Sequence, residues 1–224
     1  EVTERLSALN LRSLLFTARQ REDLPVLLDQ LWQYQVDGVI SISFLEEDQY
    51  EWLNDRNIPV VMFNRFLTNR SSNSVWCDTE PAINELVAHL AEQGHEHVAV
   101  LAGPETSMVN LIRMANIEKA LKAHNLKMVS KANGDFLHAS GGPALREIMA
   151  SGTKPSVVIS TNDMMALGAI DEARYGLNMS VPQDIAFTGI DGINAAGLSS
   201  YYLPTIRQPI DRMAEAAVTI LAER

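Results

Sequence analysis

A chain of 224 residues, 46% hydrophobic and 21% charged, carries enough apolar content for a packed core but has no apolar run of 18 residues that would span a membrane. Its net charge of −10, with 18 basic residues scattered among 28 acidic ones, excludes the clustered cationic surface that a phosphate backbone demands. Cys77 is the single cysteine, so no internal disulfide can form; this fits a reducing cytoplasm, and the thiol reads as a small apolar side chain.

The chain begins Glu1-Val2-Thr3-Glu4, without the basic and apolar regions of a secretory signal. Leu11 to Thr17 reads as a strand, followed by a helix with Leu24, Leu27, Leu28 and Leu31 on one face. Val36 to Ser41 is the next strand, then a helix around Tyr50, Trp52 and Leu53, then the strand Val60 to Phe63. A polar loop leads to a helix with Ile83, Leu86, Val87 and Leu90 at helical spacing and Gly94 as its stop. The strand His97 to Ala102, a helix from Val109 to His124, a strand near Lys131 to Gly134 and a helix near Ala144 to Ala150 continue the alternation. The strand Ser156 to Thr161 comes next, and Asp163 is expected to cap a helix through Ala173 that ends at Gly176. Asp184 to Ile190 is a strand, and Ile210, Met213, Ala214, Ala217 and Leu221 make a last helix.

Strands rich in Val and Ile, alternating with helices, predict an α/β protein with parallel sheets covered on both faces. About nine strands are many for one short chain, so two doubly wound lobes are expected. In such sheets ligands bind outside the carboxyl ends of the strands, which directs attention to the residues that follow each strand.

Five stretches in fixed order resemble one family, the lactose-repressor/galactose-repressor transcription regulators. They are Leu86 to Pro104 (LVAHLAEQGHEHVAVLAGP), Arg113 to Leu121 (RMANIEKAL), Ser156 to Ile170 (SVVISTNDMMALGAI), Val181 to Asp191 (VPQDIAFTGID) and Thr205 to Pro209 (TIRQP). The sequence departs from the family at Asn116, where glycine is usual, at Gly192, where an acidic residue is common, and at Tyr202-Leu203-Pro204. The resemblance implies a periplasmic-binding-protein-like type I core of two lobes joined by a hinge, residues 1–90 with 209–224 and residues 91–208, truncated at both ends. The family's helix-turn-helix DNA reader would precede it, so operator DNA is expected to be bound only through that missing N-terminal domain. A cytoplasmic homodimer that senses a small polar effector in the cleft between the lobes is implied too, with no membrane, no cofactor and no catalysis.

The resemblance also points Arg113, Asn162 and Asp191 at the effector. Arg113 offers a planar fork of donors, Asp191 a carboxylate that can accept from vicinal hydroxyls, and Asn162 both a donor and an acceptor. Against this, Arg113 on a mid-length helix can be a solvated charge, and Asp191 ahead of Gly192 can be a turn residue. Asp163 reads as a helix cap in preference to a ligand contact. Phe136 matches an aromatic that lies against the effector in the family, or fills the core. Gln208, at the presumed crossover between lobes, either contacts ligand or braces the hinge. Asp78 and Arg65 are weaker candidates, with surface or capping roles favoured. A sugar, sugar phosphate, polyol or nucleoside suits this set.

No nucleophile elbow, phosphate loop or dinucleotide fingerprint is present. His95-Glu96-His97 lacks the spacing that puts two imidazoles on one helix face, so no metal is expected, and Glu46-Glu47 reads as solvated charge. Two rivals remain: a periplasmic sugar-binding protein of a transport system, and an enzyme on an α/β scaffold.

Overall fold

The computed structural model describes residues 1–17, 23–42, 45, 47–65, 67 and 72–223. The chain divides into two compact units, residues 1–77 with 209–224 and residues 78–208. The first boundary falls earlier than the expected residue 90. The helix at Glu80–Glu92 buries Ile83, Val87 and Leu90 against Val98 and Val100, so it packs with the strand that follows it.

In the first unit, α1 (Val2–Ala8) and α2 (Leu24–Gln33) precede β1 (Val39–Ser41), α3 (Glu47–Asn54), β2 (Val60–Phe63) and β3 (Asn73–Val75), and α8 (Ile210–Ala222) returns to it. The three strands are parallel in the order β1-β2-β3, with Val39 opposite Val60 and Val61 opposite Asn73. Side chains alternate across the central strand, as a pleated ribbon requires. Val60 and Met62 pack with Tyr50 and Leu53 of α3, and Val61 packs with Met213 and Ala217 of α8.

Leu11 to Thr17 forms no strand, against expectation. Leu14 and Leu15 are 57% and 84% exposed, and β1 is the edge of the sheet. An apolar run alone does not make a strand; a ladder must pair its backbone and a neighbouring face must cover its side chains. β3 arises where a polar loop was expected, because the partner β2 supplies the ladder that Asn73-Ser74-Val75 does not advertise. Glu46 lies outside the described residues.

The second unit contains α4 (Glu80–Glu92), β4 (His97–Ala102), α5 (Met108–Ala123), β5 (Lys127–Asn133), α6 (His138–Ala150), β6 (Val157–Ser160), α7 (Asp163–Asp171), β7 (Ala186–Asp191) and β8 (Thr205–Arg207). All five strands are parallel, in the order β5-β4-β6-β7-β8. Alternation along β4 sends Val98 and Val100 to a layer with Ile117 and Leu121 of α5, and Ala99 and Leu101 to a layer with Leu145 of α6 and Met165 of α7. The sheet is therefore doubly wound. On the second face the helices meet backbone to backbone: a Cβ on Gly141 would sit 2.1 Å from the Met165 carbonyl oxygen, and one on Gly168 2.0 Å from that of His138. Any larger side chain at either position would drive α6 and α7 apart.

β4 is the first strand of this sheet, with β5 on one side and β6, β7 and β8 on the other. Strand order reverses between β4 and β6, and that switch point at the carboxyl ends is where a doubly wound sheet receives a ligand.

Candidate functional site

Helix α5 buries Asn110, Arg113, Met114, Ile117 and Leu121, a stripe at three- and four-residue spacing. The apolar members cover the sheet, while Asn110 and Arg113, nearer the start of the helix, reach the strand tips. Asn110 Oδ1 accepts from the Gly103 amide at 2.6 Å and the Thr161 hydroxyl at 3.1 Å. Thr161 Oγ1 in turn accepts from the Gly103 amide at 2.9 Å, so one buried knot ties β4 to β6 at the switch point.

Arg113 is only 4% exposed. Its Nη1 donates to the Thr161 carbonyl at 2.6 Å and its Nη2 to Asp191 Oδ1 at 2.9 Å, which bridges the tips of β6 and β7. Gln208, after β8, donates its Nε2 to the same Asp191 Oδ1 at 2.6 Å, and its backbone amide binds the Asp191 carbonyl at 3.1 Å. Both side-chain bonds fall on Oδ1, and Asp191 remains 24% exposed. Arg113 Nε and Gln208 Oε1 are buried with no partner among the described residues. Burial pushes the Asp191 carboxyl above the usual carboxylate range; the nearby guanidinium pulls the other way without cancelling it.

Asp191 sits at φ 146°, a backbone region unfavourable to a side chain. The loop after it is held by Asp163, which is fully buried. Asp163 Oδ2 accepts from the amides of Gly192 and Ile193 at 2.8 and 2.9 Å, and its Oδ1 accepts from the Thr205 hydroxyl at 2.5 Å. The expected cap role belongs to its neighbour: Asn162, in extended conformation, accepts the Met165 amide at 3.0 Å, and Asp163 is the first helical residue. The nitrogen end of Asn162 donates to the Phe136 carbonyl at 2.9 Å, which holds Phe136 at φ 69°. Asn162 thus has both ends of its amide engaged within the chain and serves to position Phe136. The Phe136 ring lies over the tip of β4, where a Cβ on Gly103 would be 2.2 Å from it; only glycine leaves the ring that place.

The fold therefore brings Arg113, Asp191 and Gln208 into one hydrogen-bonded group, with Phe136 and Asn162 at the neighbouring tips. Asp78 is exposed and opens α4, accepting the Glu80 amide at 3.0 Å. Arg65 belongs to the first unit and donates to the Asn64 carbonyl at 2.9 Å. Sequence reasoning did not single out Asn110, Thr161, Gly103 or the bracing role of Asp163. A polar residue on the buried stripe of α5, one turn before Arg113, was the available signal for Asn110.

His95, from the His-Glu-His stretch, pairs its Nδ1 with the Ser156 hydroxyl at 2.7 Å. Among the described residues no group of three or more histidine, cysteine or carboxylate side chains is placed to hold a metal ion. Nor is any of their helices long and apolar enough to cross a membrane.

The architecture is that of a doubly wound α/β domain with a hydrogen-bonded polar group at its strand tips. The family profile of the periplasmic binding protein-like domain matches residues 87–224, and the chain belongs to that family. Its relatives are transcription regulators of the lactose-repressor type. The HTH-type transcriptional regulator AscG of Escherichia coli K12 is 31% identical over 89% of this chain and 59% of its own length. The HTH-type transcriptional repressor CytR of the same strain is 28% identical over 92% of this chain and 61% of its own. Among solved structures, a sugar-binding transcriptional regulator of the LacI family from Escherichia coli, complexed with phosphate, superposes with a TM-score of 0.80 at 26% identity, covering 97% of this chain and 80% of that one. The chain spans about three-fifths of the length of the curated relatives it matches.

Proposed function

We propose that this chain is the effector-sensing core of a transcription regulator, and that a small polar metabolite binds at the carboxyl ends of the second unit's strands. One observation carries the reading: the buried Arg113–Asp191 pair, braced by Gln208, with polar atoms of Arg113 and Gln208 left without partners among the described residues. An unpaired buried polar atom costs about 1–3 kcal/mol, so a site that retains two of them fits one that a ligand completes. Asp191 accepts from the ligand, Arg113 donates, and the Phe136 ring receives an apolar face.

In the whole regulator the sensor would act as a cytoplasmic homodimer, and the effector would change the affinity of a separate DNA-reading segment for its operator. A coupling of roughly 1–3 kcal/mol suffices for such control. The character of the relatives supports a regulator over a transport binding protein.

A thermal-shift screen of sugars, polyols and nucleosides tests this, because a ligand that binds only the folded chain raises its melting temperature. For a compound that does so, Asp191→Ala should weaken binding by about 1.5–3 kcal/mol, the range for a hydrogen bond to a charged group. Unchanged affinity in the variant would remove Asp191 from the site.

A further inference from the structure

We infer that the α2–α3 face of the first unit docks a basic segment of a partner protein, an arginine of which stacks on Trp32. This surface lies outside the effector site and does not depend on it. Trp52 of α3 is partly buried against the core of the unit, beside Leu28 and Leu53. Trp32 of α2 meets it edge to face, with ring centroids 6.5 Å apart and planes at 81°, yet is itself 56% exposed. The Arg56 guanidinium lies 3.9 Å from the Trp52 centroid and 5.7 Å from that of Trp32. Its Nη1 donates to the Trp52 carbonyl at 3.1 Å. The two indoles thus form a corner that already holds one guanidinium, while Trp32 keeps more than half of its surface in water.

A helix position that only has to face water needs no indole; the next residue, Gln33, is exposed and polar. Tryptophan and arginine are the residues that binding interfaces concentrate at their centres.

The surrounding charge selects the occupant. From Leu24 to Arg56 the sequence holds seven carboxylates and a single cation, Arg56, against 28 and 18 in the whole chain. Asp29 precedes Trp32 by three residues on α2, and Asp48 precedes Trp52 by four on α3. These spacings set each carboxylate beside its indole on the helix surface, and both are exposed. A cation over an indole face is held by the ring quadrupole, and a neighbouring carboxylate adds to that attraction. A guanidinium suits the place better than an ammonium, because it is planar and more weakly hydrated. The same charges disfavour other occupants. A second copy in a twofold contact would set this acidic face against itself. Nucleic acid or an anionic membrane would bring phosphates to it.

The test is calorimetry of the 224-residue chain, at physiological salt, with a short amidated peptide that alternates arginine and leucine. The same peptide with neutral citrulline in place of arginine is the control, and should bind at least about tenfold more weakly. Trp32→Ala should weaken binding of the arginine peptide by roughly tenfold, as truncation of a central interface residue does, with the melting temperature unchanged. Trp32→Phe, which keeps a ring face, should recover part of the loss and serves the same comparison if the alanine variant unfolds. Asp29→Asn should cost about two- to fivefold, whereas Glu147→Gln, the same charge change on the exposed side of α6, should cost nothing, because salt screens distant charges. Equal loss in both charge variants, or unaltered affinity in Trp32→Ala and Trp32→Phe, would reduce the binding to general attraction between opposite charges and overturn the inference. So would absence of binding at millimolar peptide, or self-association of the chain that Trp32→Ala abolishes, which would give the face to a second copy.

Discussion

Helix α5 carries two ion pairs of similar length and very different standing. Arg113, in its second turn, reaches Asp191 at 2.9 Å; Lys119, six residues on, reaches Glu80 at 2.6 Å. The shorter pair lies on the surface, with side chains 70% and 49% exposed, whereas Arg113 is almost wholly buried and fixed by a carbonyl besides. Water screens the Lys119–Glu80 pair, and two flexible side chains lose entropy to form it. In the Arg113–Asp191 pair, removing the carboxylate strands a guanidinium away from water, and removing the guanidinium leaves a largely buried carboxylate without its cation. Burial and added hydrogen bonds therefore rank these pairs in the opposite order to distance.

Substitutions can break that contrast in descending order of effect. Arg113→Met should cost about 2–4 kcal/mol of folding stability, measured by urea unfolding, because it removes the cation paired with Asp191 and leaves the Thr161 carbonyl without its donor. Asp163→Ala should cost about 1–3 kcal/mol by releasing the Gly192 and Ile193 amides, and Asp163→Asn should recover part of this loss through its remaining acceptor. Gly103→Ala forces the Phe136 ring aside, and an overpacked core position of this kind costs about 1–3 kcal/mol; the change should also lower affinity for any ligand that lies on the ring. Lys119→Ala should leave the unfolding midpoint unchanged within error.

Acidification separates binding from folding at the same pair. The Asp191 carboxyl is pushed up by burial, so it gains its proton at a higher pH than an ordinary aspartate. Ligand affinity should fall as pH drops through that raised value, since a protonated Asp191 no longer offers a charged acceptor. The folded-state contribution of this group has the opposite sign. Between the raised value and the ordinary one the folded chain holds a proton that the unfolded chain releases, so its share of stability increases as pH falls. Calorimetric titrations and melting curves recorded over the same pH series should therefore diverge.

The alternating strands and helices of the second unit were legible from periodicity, and β2 and β4 start and end where the sequence places them. Buried strands and amphipathic helices write their environment into hydrophobic spacing. Leu11 to Thr17 misled because spacing records apolar content and not whether the backbone is paired and the side chains are covered. β3 and β8 are three residues each, too short for periodicity to register, and they exist through their partners β2 and β7. In the site, Arg113 and Asp191 stood out by family resemblance and position. The exchange of roles between Asn162 and Asp163 did not, since either residue can cap a helix and only the fold decides which one faces the Gly192 amide. Thr161 was hidden because short polar residues beside strands usually serve turns, and Asn110 because a single asparagine in a helix carries no mark of its buried partners.

The most direct test of the account is a crystal structure of the chain with the tightest neutral ligand from the screen. The account predicts ligand hydroxyls within hydrogen-bonding distance of the Asp191 carboxylate and the Arg113 guanidinium, with the Phe136 ring against the ligand. A ligand seated elsewhere, with Arg113, Asp191 and Gln208 bonded only to one another, would contradict it.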